Sequence, residues 1–120
     1  MSASKQAMWE KYASAWKEAT AKGKADVLRS SAAADCVYTD PVTIASGHEE
    51  LIAYMLAFHQ QVPGGHFVTT YFLTHHDVSI SKWNMLSGDG IVIGDGVSYG
   101  QYNEQGMLVA MTGFFETPPQ

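Results

Sequence analysis

The sequence has only one cysteine, Cys36, and no long apolar run, and each absence excludes a class of protein. One cysteine cannot form a disulfide within the chain. It lies in the apolar run 36–39, where a small buried thiol is a commoner interpretation than a nucleophile. No stretch approaches the roughly 18 apolar residues of a membrane span. The first residues also lack the basic and apolar parts of a signal peptide, so we expect a cytoplasmic protein.

Basic residues are scarce as well. Lys and Arg number seven against twelve Asp and Glu, which gives a formal net charge of −5. Five of the seven are spread along the first helical stretch, at Lys5, Lys11, Lys17, Lys22 and Lys24. A nucleic-acid-binding protein needs a concentrated basic face. The composition therefore favours neither nucleic acid nor a membrane surface as a partner.

Apolar residues, in contrast, are abundant, at 46% of the 120 residues. A chain of this size buries roughly two-thirds of the surface that its unfolded form exposes, which is enough for one core. The sequence contains no internal repeat and no low-complexity segment. We therefore expect a single domain over residues 1–120.

The first half of the chain has the apolar period of helices. One amphipathic helix is predicted over residues 4–22, where apolar residues recur three and four positions apart. Gly23 separates it from a short second helix at about 25–34. A third helix is predicted from about 46 to 60, because Ser46-Gly47-His48-Glu49 has the spacing of a capping box.

Strands account for the remainder. The run 36–40 predicts one short strand before the third helix, followed by a loop. Beyond Pro63-Gly64-Gly65 the apolar period changes to two. Strands are predicted there at about 66–73, 76–86, 91–102 and 107–116. This order predicts an α+β fold in which three helices cover one face of a strongly curved antiparallel sheet.

In order and spacing, these elements resemble the nuclear transport factor 2-like superfamily, which includes ketosteroid isomerases and SnoaL-like polyketide cyclases. The resemblance covers essentially the whole chain. The residues that carry it are Tyr12-x-x-x-Trp16, Gly23, Val37-Tyr38-Thr39-Asp40-Pro41, Gly47, His75-His76-Asp77 to Trp83, Gly106 and Gly113-Phe114-Phe115. It implies a cone-shaped, cystatin-like barrel with an internal cavity, a homodimer and no cofactor.

Asp40 is the first candidate for chemistry. Asp-Pro is a common start of a turn, so its carboxylate is expected either to cap backbone amides or to act in a site. The resemblance aligns Asp40 with the general base of ketosteroid isomerases, which takes a proton from a carbon next to a carbonyl. That role requires a dry, apolar cavity around the carboxyl group. Both alternatives stay open at this stage.

The oxyanion donors of that family are replaced in this chain. By the same resemblance, Ser98 stands where ketosteroid isomerases have a protonated aspartate, and Trp16 stands where they have a tyrosine. Tyr12 lies one helical turn earlier and is the closest candidate for the missing phenol. A serine hydroxyl and an indole N–H are weaker donors. These replacements predict milder or different chemistry than steroid isomerisation.

His75 and His76 are the remaining candidates. Adjacent residues of a strand point to opposite faces, so His75 and His76 should not be able to reach the same metal ion. We therefore predict no metal site. His75 is the further catalytic candidate, since a histidine at the cavity mouth could carry protons near neutral pH. The alternative is a partly solvated pair at the end of a strand.

The cavity itself is predicted from side chains that share the inner face. If Trp83 faces inward, so do Ser79, Ser81 and Met85, while Gly94, Gly96 and Ser98 leave space on the next strand. The expected wall comprises Trp16, Tyr38, Tyr54, Met55, Phe58, Trp83, Met111 and Phe115. Such a wall suits a small apolar or aromatic ligand that contains a carbonyl group. The alternative is that these side chains fill the interior.

The outer face of the sheet is also expected to be apolar. It should carry Leu108, Ala110, Thr112 and Phe114, while Ile91, Ile93, Val97 and Tyr99 belong to the neighbouring strand in whichever register that strand adopts. An exposed apolar sheet predicts self-association, and two-fold symmetry is the commonest form of it. Three functions therefore remain open: an isomerase or cyclase, a binding module without chemistry, and a dimerisation scaffold.

Overall fold

The computed structural model describes residues 4–116 and contains three helices packed on one mixed sheet. The elements are α1 (Lys5–Ser14), α2 (Ala21–Arg29), β1 (Ala32–Asp40), β2 (Thr43–Ser46), α3 (Gly47–Gln61), β3 (His66–His75), β4 (Val78–Leu86), β5 (Val92–Tyr102) and β6 (Leu108–Phe114). The strand order is β2-β1-β6-β5-β4-β3. The predicted α+β class is confirmed. One strand pair differs from the prediction, because β1 and β6 run parallel.

The first two helices are shorter than predicted. α1 ends at Ser14 instead of continuing to residue 22. α2 begins after Thr20, whose side chain accepts a hydrogen bond from the backbone N–H of Gly23 at 3.0 Å. Gly23 therefore lies in the first turn of α2 and not between two helices. No helix among residues 4–116 is long and apolar enough to cross a membrane.

The segment after Asp40 forms a strand where a loop was expected. β2 pairs with β1, from Val37 opposite Ser46 to Asp40 opposite Thr43. The predicted capping box at the start of α3 is also different, since the Ser46 side chain makes no cap hydrogen bond. The backbone N–H of Ser46 donates instead to the carboxylate of Glu50 at 2.9 Å. The hairpin places Asp40 at the edge of the tight turn 41–42.

β6 carries a bulge that moves one side chain to the other face. Gln101 pairs with Ala110, but Tyr102 pairs with Leu108, so Val109 is the extra residue. Leu108 was predicted on the outer face and is fully buried in the core. A shift of one residue moves the side chains of a strand to the opposite face of the sheet. The alternation of inward and outward side chains assumed for residues 108–114 is therefore wrong at Leu108.

A buried lysine joins α1 to α2. Lys24 has no exposed surface, and its ammonium group donates to the carbonyl oxygens of Ala15 at 3.0 Å and Glu18 at 2.7 Å. It also approaches Nδ1 of His59 on α3 at 3.5 Å. These contacts satisfy carbonyl groups that the early end of α1 leaves without helical partners. Burial lowers the pKa of Lys24 from 10.5 to about 8.

This shift predicts a pH dependence of stability. Between pH 8 and 9.5 the unfolded chain keeps the Lys24 proton while the folded chain releases it, so stability rises with pH in this window. The difference in unfolding free energy between the wild type and Lys24→Met should grow by about 1.5 kcal/mol from pH 8 to 9.5. Urea unfolding at both pH values measures it. Lys17→Met, at an exposed position, is the matched control and should show no such growth. A pH-independent difference for Lys24→Met would contradict the assignment.

Candidate functional site

A cavity of about 410 Å³ lies between the helices and the inner face of the sheet. Its wall is mostly apolar, is rich in aromatic side chains and includes Asp40. The aromatic residues are Trp9, Tyr12, Trp16, Tyr38, Tyr54, Phe58, Phe67, Trp83 and Phe115. The interior of the barrel is therefore not filled by side chains.

Most of the predicted wall residues are brought together here, and two are not. Trp16, Tyr38, Tyr54, Phe58, Trp83 and Phe115 line the cavity. Met55 and Met111 do not, because both are fully buried in the core behind the wall. The sequence interpretation missed Trp9 and Phe67. Phe67 could have been found, because it is opposite Met85, two positions from Trp83 on the same inner face.

Trp16 is the centre of the aromatic wall. Its ring lies 5.4 to 6.0 Å from those of Tyr38, Tyr54, Phe58 and Phe67, measured between centroids. Three of these pairs are nearly perpendicular, at 81° to 85°. Edge-to-face pairs of this kind add to the stabilisation that burial alone provides. The position of Trp16 after the end of α1 allows it to reach residues of β1, α3 and β3 together.

Asp40 borders the cavity and accepts four hydrogen bonds. Oδ2 accepts from the hydroxyl groups of Tyr38 and Tyr54, each at 2.7 Å. Oδ1 accepts from the backbone N–H groups of Val42 at 2.9 Å and Thr43 at 3.1 Å. A carboxylate has about four acceptor positions, so all of them are used. Asp40 therefore caps the turn, as one interpretation predicted, and it also borders the cavity; its role as a general base stays a prediction.

The two tyrosines that donate to Asp40 remain protonated. Burial raises the pKa of the Tyr38 phenol far above its ordinary value, with smaller contributions that include the hydrogen bond to Asp40. Burial and the Asp40 hydrogen bond likewise raise the pKa of Tyr54. Ionising either phenol would place a second negative charge beside the carboxylate in a poorly solvated site. Tyr38 and Tyr54 therefore act as neutral hydrogen-bond donors.

Tyr12 presents a hydroxyl group of a different kind. It is almost fully buried and accepts a hydrogen bond from Nε1 of Trp16 at 3.1 Å. Within residues 4–116 its own proton has no acceptor. Burial raises the pKa of Tyr12, and the Trp16 hydrogen bond opposes that effect in part. Tyr12 is thus a protonated donor on the cavity wall whose proton is available.

Ser98 is held in place by a hydrogen bond from Trp83. Nε1 of Trp83 donates to Oγ of Ser98 at 2.9 Å. Gly96 makes this possible, because a Cβ there would lie 2.4 Å from the indole ring. The space predicted at Gly96 is therefore occupied by Trp83. A Cβ added at Gly113 would lie within 4 Å of both Oγ of Ser98 and the hydroxyl group of Tyr38. These two polar groups therefore lie close together at one corner of the cavity.

His75 lies away from the cavity. It is exposed at the end of β3 and is not part of the cavity wall, so the predicted role at the cavity mouth is wrong. Nδ1 of His75 is 3.1 Å from Nδ1 of His76. The rings meet because His76 has a φ of 48° and turns out of the strand, which the alternation argument did not anticipate. Among the described residues, no group of three or more metal-ligating side chains occurs.

Comparison with known proteins agrees with this architecture. A family model described as SnoaL-like domain matches residues 10–111. No curated protein matches the chain. The predicted resemblance to SnoaL-like and nuclear transport factor 2-like proteins is confirmed.

Three solved structures share the fold. A candidate isomerase of the SnoaL-like family from Agrobacterium tumefaciens is 23% identical, with a TM-score of 0.85 over 93% of this chain and 97% of that one. A protein from Catenulispora acidiphila with a ketosteroid isomerase-like fold, in complex with trimethylamine, is 13% identical, with a TM-score of 0.74 over 91% and 85%. TerC, co-crystallised with polyporic acid, is 13% identical, with a TM-score of 0.75 over 93% and 91%.

The contact between Gly96 and Trp83 generates a prediction. Gly96→Ala should lower the unfolding free energy by about 1–3 kcal/mol, because the added methyl group meets a rigid ring and the carbonyl oxygen of Phe114 at 2.6 Å. It should also shift the NMR signal of the Trp83 indole N–H.

Gly94→Ala is the matched control on the same strand and face. Its methyl group would meet only the flexible end of Met85, at 3.1 Å, so it should cost less than about 1 kcal/mol. Chemical denaturation of both variants measures the two costs. Equal costs would show that Gly96 does not set the position of Trp83.

Proposed function

The chain belongs to the SnoaL-like domain family, and on that premise we propose that it binds a small, mostly apolar molecule in the cavity beside Asp40. The observation that carries this proposal is the cavity of about 410 Å³ with an aromatic wall. Ligand sites of proteins are typically of this size, largely apolar and supplied with a few polar groups that fix orientation. Tyr12, Asp40 and Ser98 are among the polar residues of this wall.

Two proteins of the same fold support a small-molecule ligand. One is in complex with trimethylamine, and the other was co-crystallised with polyporic acid. An amine and an acid differ in chemistry, so these proteins support the class of site and not one ligand. The identity of the ligand must come from the residues of this chain.

Acid–base chemistry of the isomerase or cyclase type is the second candidate. Asp40 would take a proton from a carbon next to a carbonyl, and the available hydroxyl of Tyr12 would donate to the carbonyl oxygen. The four hydrogen bonds on Asp40 oppose this role, because no lone pair is free to receive the proton. One donor must leave before the carboxylate can act as a base. Binding without chemistry requires no such rearrangement.

An enolisable aromatic ketone separates the two candidates. We expect 2-tetralone to bind, which quenching of tryptophan fluorescence measures, because Trp16 and Trp83 line the cavity. Deuterium exchange at the carbons next to its carbonyl, followed by proton NMR, measures proton abstraction. If Asp40 is the base, Asp40→Asn should slow the exchange by about 100-fold or more and leave affinity within a few-fold.

The control for this experiment is Asp35→Asn, at an exposed position of the same strand. It should change neither binding nor exchange. Binding without accelerated exchange in the wild type would select the binding module. Failure of 2-tetralone and of other planar aromatic probes to bind would contradict the proposed function.

The homodimer is a separate proposal that rests on the outer face of the sheet. Two rows of paired residues cross this face: Leu73, Ile80, Tyr99 and Thr112, and then Tyr71, Lys82, Val97 and Phe114. Leu73, Tyr71 and Phe114 are each more than half exposed. A contiguous apolar patch of this kind is typical of an interaction surface. A second copy could cover it with two-fold symmetry.

Light scattering tests this interface. The wild type should have the mass of a dimer, and the double variant Ile80→Lys with Tyr99→Lys should be a folded monomer. These two residues are direct cross-strand partners, so the change places two charges at the centre of the patch. Gln6→Lys, on the exposed side of α1, is the control and should remain a dimer. A monomeric wild type would exclude the interface.

A further inference from the structure

Two adjacent histidines lie at the hairpin between β3 and β4, away from the cavity. His75 is the last residue of β3, and His76 begins the turn 76–77. Nδ1 of His75 lies 3.1 Å from Nδ1 of His76, and the planes of the two rings are nearly perpendicular, at 84°. Both side chains are exposed, and neither belongs to the cavity wall. Any function of this pair is therefore separate from that of the cavity.

The backbone of His76 is what brings the two rings together. Alternation along a strand would have sent them to opposite faces of the sheet. His76 instead has a φ of 48°, in the left-handed region, where histidine occurs more often than most other residues. The reason for expecting that the two rings cannot share a metal ion therefore does not hold in the folded chain.

The hairpin that carries the pair is fixed by two hydrogen bonds. Oγ1 of Thr74 donates to the carbonyl oxygen of Val78 at 2.8 Å, across the two histidines. The backbone N–H of Tyr102 donates to the carbonyl oxygen of Asp77 at 2.8 Å, which joins the turn to the end of β5. Ligand groups on rigid elements are positioned more precisely than groups on a free loop. The hairpin therefore keeps the two imidazoles next to each other.

The short distance between the two nitrogens requires a proton or a cation between them. A neutral imidazole has one nitrogen that carries a hydrogen and one that has a free lone pair. Two lone pairs that face each other at 3.1 Å repel, and a shared proton or a bound cation removes that repulsion. Metal–nitrogen bonds of about 2.0–2.1 Å, the length found at zinc, would span this distance at an angle of about 100°. This angle lies between those of square-planar and tetrahedral sites, so both nitrogens can bind one ion.

We propose that His75 and His76 bind a divalent late transition metal ion through their Nδ1 atoms, with water in the remaining positions. Imidazole suits Zn²⁺, Ni²⁺ and Cu²⁺ as a ligand, whereas Mg²⁺ and Ca²⁺ prefer oxygen. Within residues 4–116 no third metal-ligating side chain joins the pair, and its exposure leaves room for water. Affinity for nitrogen ligands rises from Co²⁺ through Ni²⁺ to Cu²⁺. The same order is expected at this site.

Titration of the whole chain with Ni²⁺ tests the proposal. Isothermal titration calorimetry gives the affinity and the stoichiometry, and NMR locates the ion, because paramagnetic Ni²⁺ broadens the signals of nearby nuclei. We expect one Ni²⁺ per chain, with the strongest broadening at the imidazole signals of His75 and His76. Cu²⁺ should bind at least about tenfold more tightly than Ni²⁺, and Mg²⁺ should not bind.

Variants of each histidine test whether both are ligands. His76→Asn keeps a residue that tolerates a positive φ, so the turn should remain while one ligand is lost. His76→Asn and His75→Gln should each weaken Ni²⁺ binding by at least about tenfold, because one imidazole then binds alone. His66→Asn, at the opposite end of β3, is the matched control and should leave the affinity unchanged.

Two results would overturn the proposal. Equal affinity of the wild type and either histidine variant would show that the two rings do not bind one ion together. Absence of Ni²⁺ and Cu²⁺ binding by the wild type would assign the space between the nitrogens to a shared proton. Neither result bears on the ligand of the cavity, which the ketone experiment tests separately.

Discussion

The Asp40 carboxylate and its four donors are the interaction on which the site depends. The two amides belong to the turn between β1 and β2, Tyr38 belongs to β1, and Tyr54 belongs to α3. One buried charge therefore joins a helix, a strand and a turn. Loss of one donor leaves a buried charge with an unfilled acceptor position, which costs more than an ordinary hydrogen bond contributes. The network therefore joins α3 to the β1–β2 hairpin at the wall of the cavity.

The aromatic wall is arranged by residues with little side chain of their own. Gly96 admits the Trp83 indole, and Gly100 lies against Trp9, whose ring would be 3.1 Å from a Cβ there. Gly96 and Gly100 thus determine where the rings of Trp83 and Trp9 can lie. Tyr12, Asp40 and Ser98 add polar groups to the apolar wall of the cavity. Size and polarity of the site are therefore determined by different residues.

The sequence predicted the architecture well, because the apolar period of each element and the order of the elements can be read directly along the chain. The four C-terminal strands, the third helix and the aromatic wall follow from spacing along the chain. The errors occur where a distant contact overrides a local pattern. α1 ends at Ser14 because the following turn is held by Lys24, ten residues later, and β1 pairs in parallel with the last strand. The hydrogen bond from Tyr54 to Asp40 joins residues 14 positions apart, and no local sequence pattern predicts it.

The same network constrains how the site could perform chemistry. To receive a proton, Asp40 must release one of its donors, and the two amides cannot leave without opening the β1–β2 turn. Tyr38 lies on the same strand and is buried, whereas Tyr54 is only half-buried on the adjacent helix. A ligand that draws the Tyr54 hydroxyl towards itself would free one of the two acceptor positions on Oδ2, while Tyr38 keeps the other, and would occupy the cavity in the same step. If Asp40 acts as a base, the reaction requires a ligand that accepts a hydrogen bond from Tyr54, and a ligand without such an acceptor would bind without reacting.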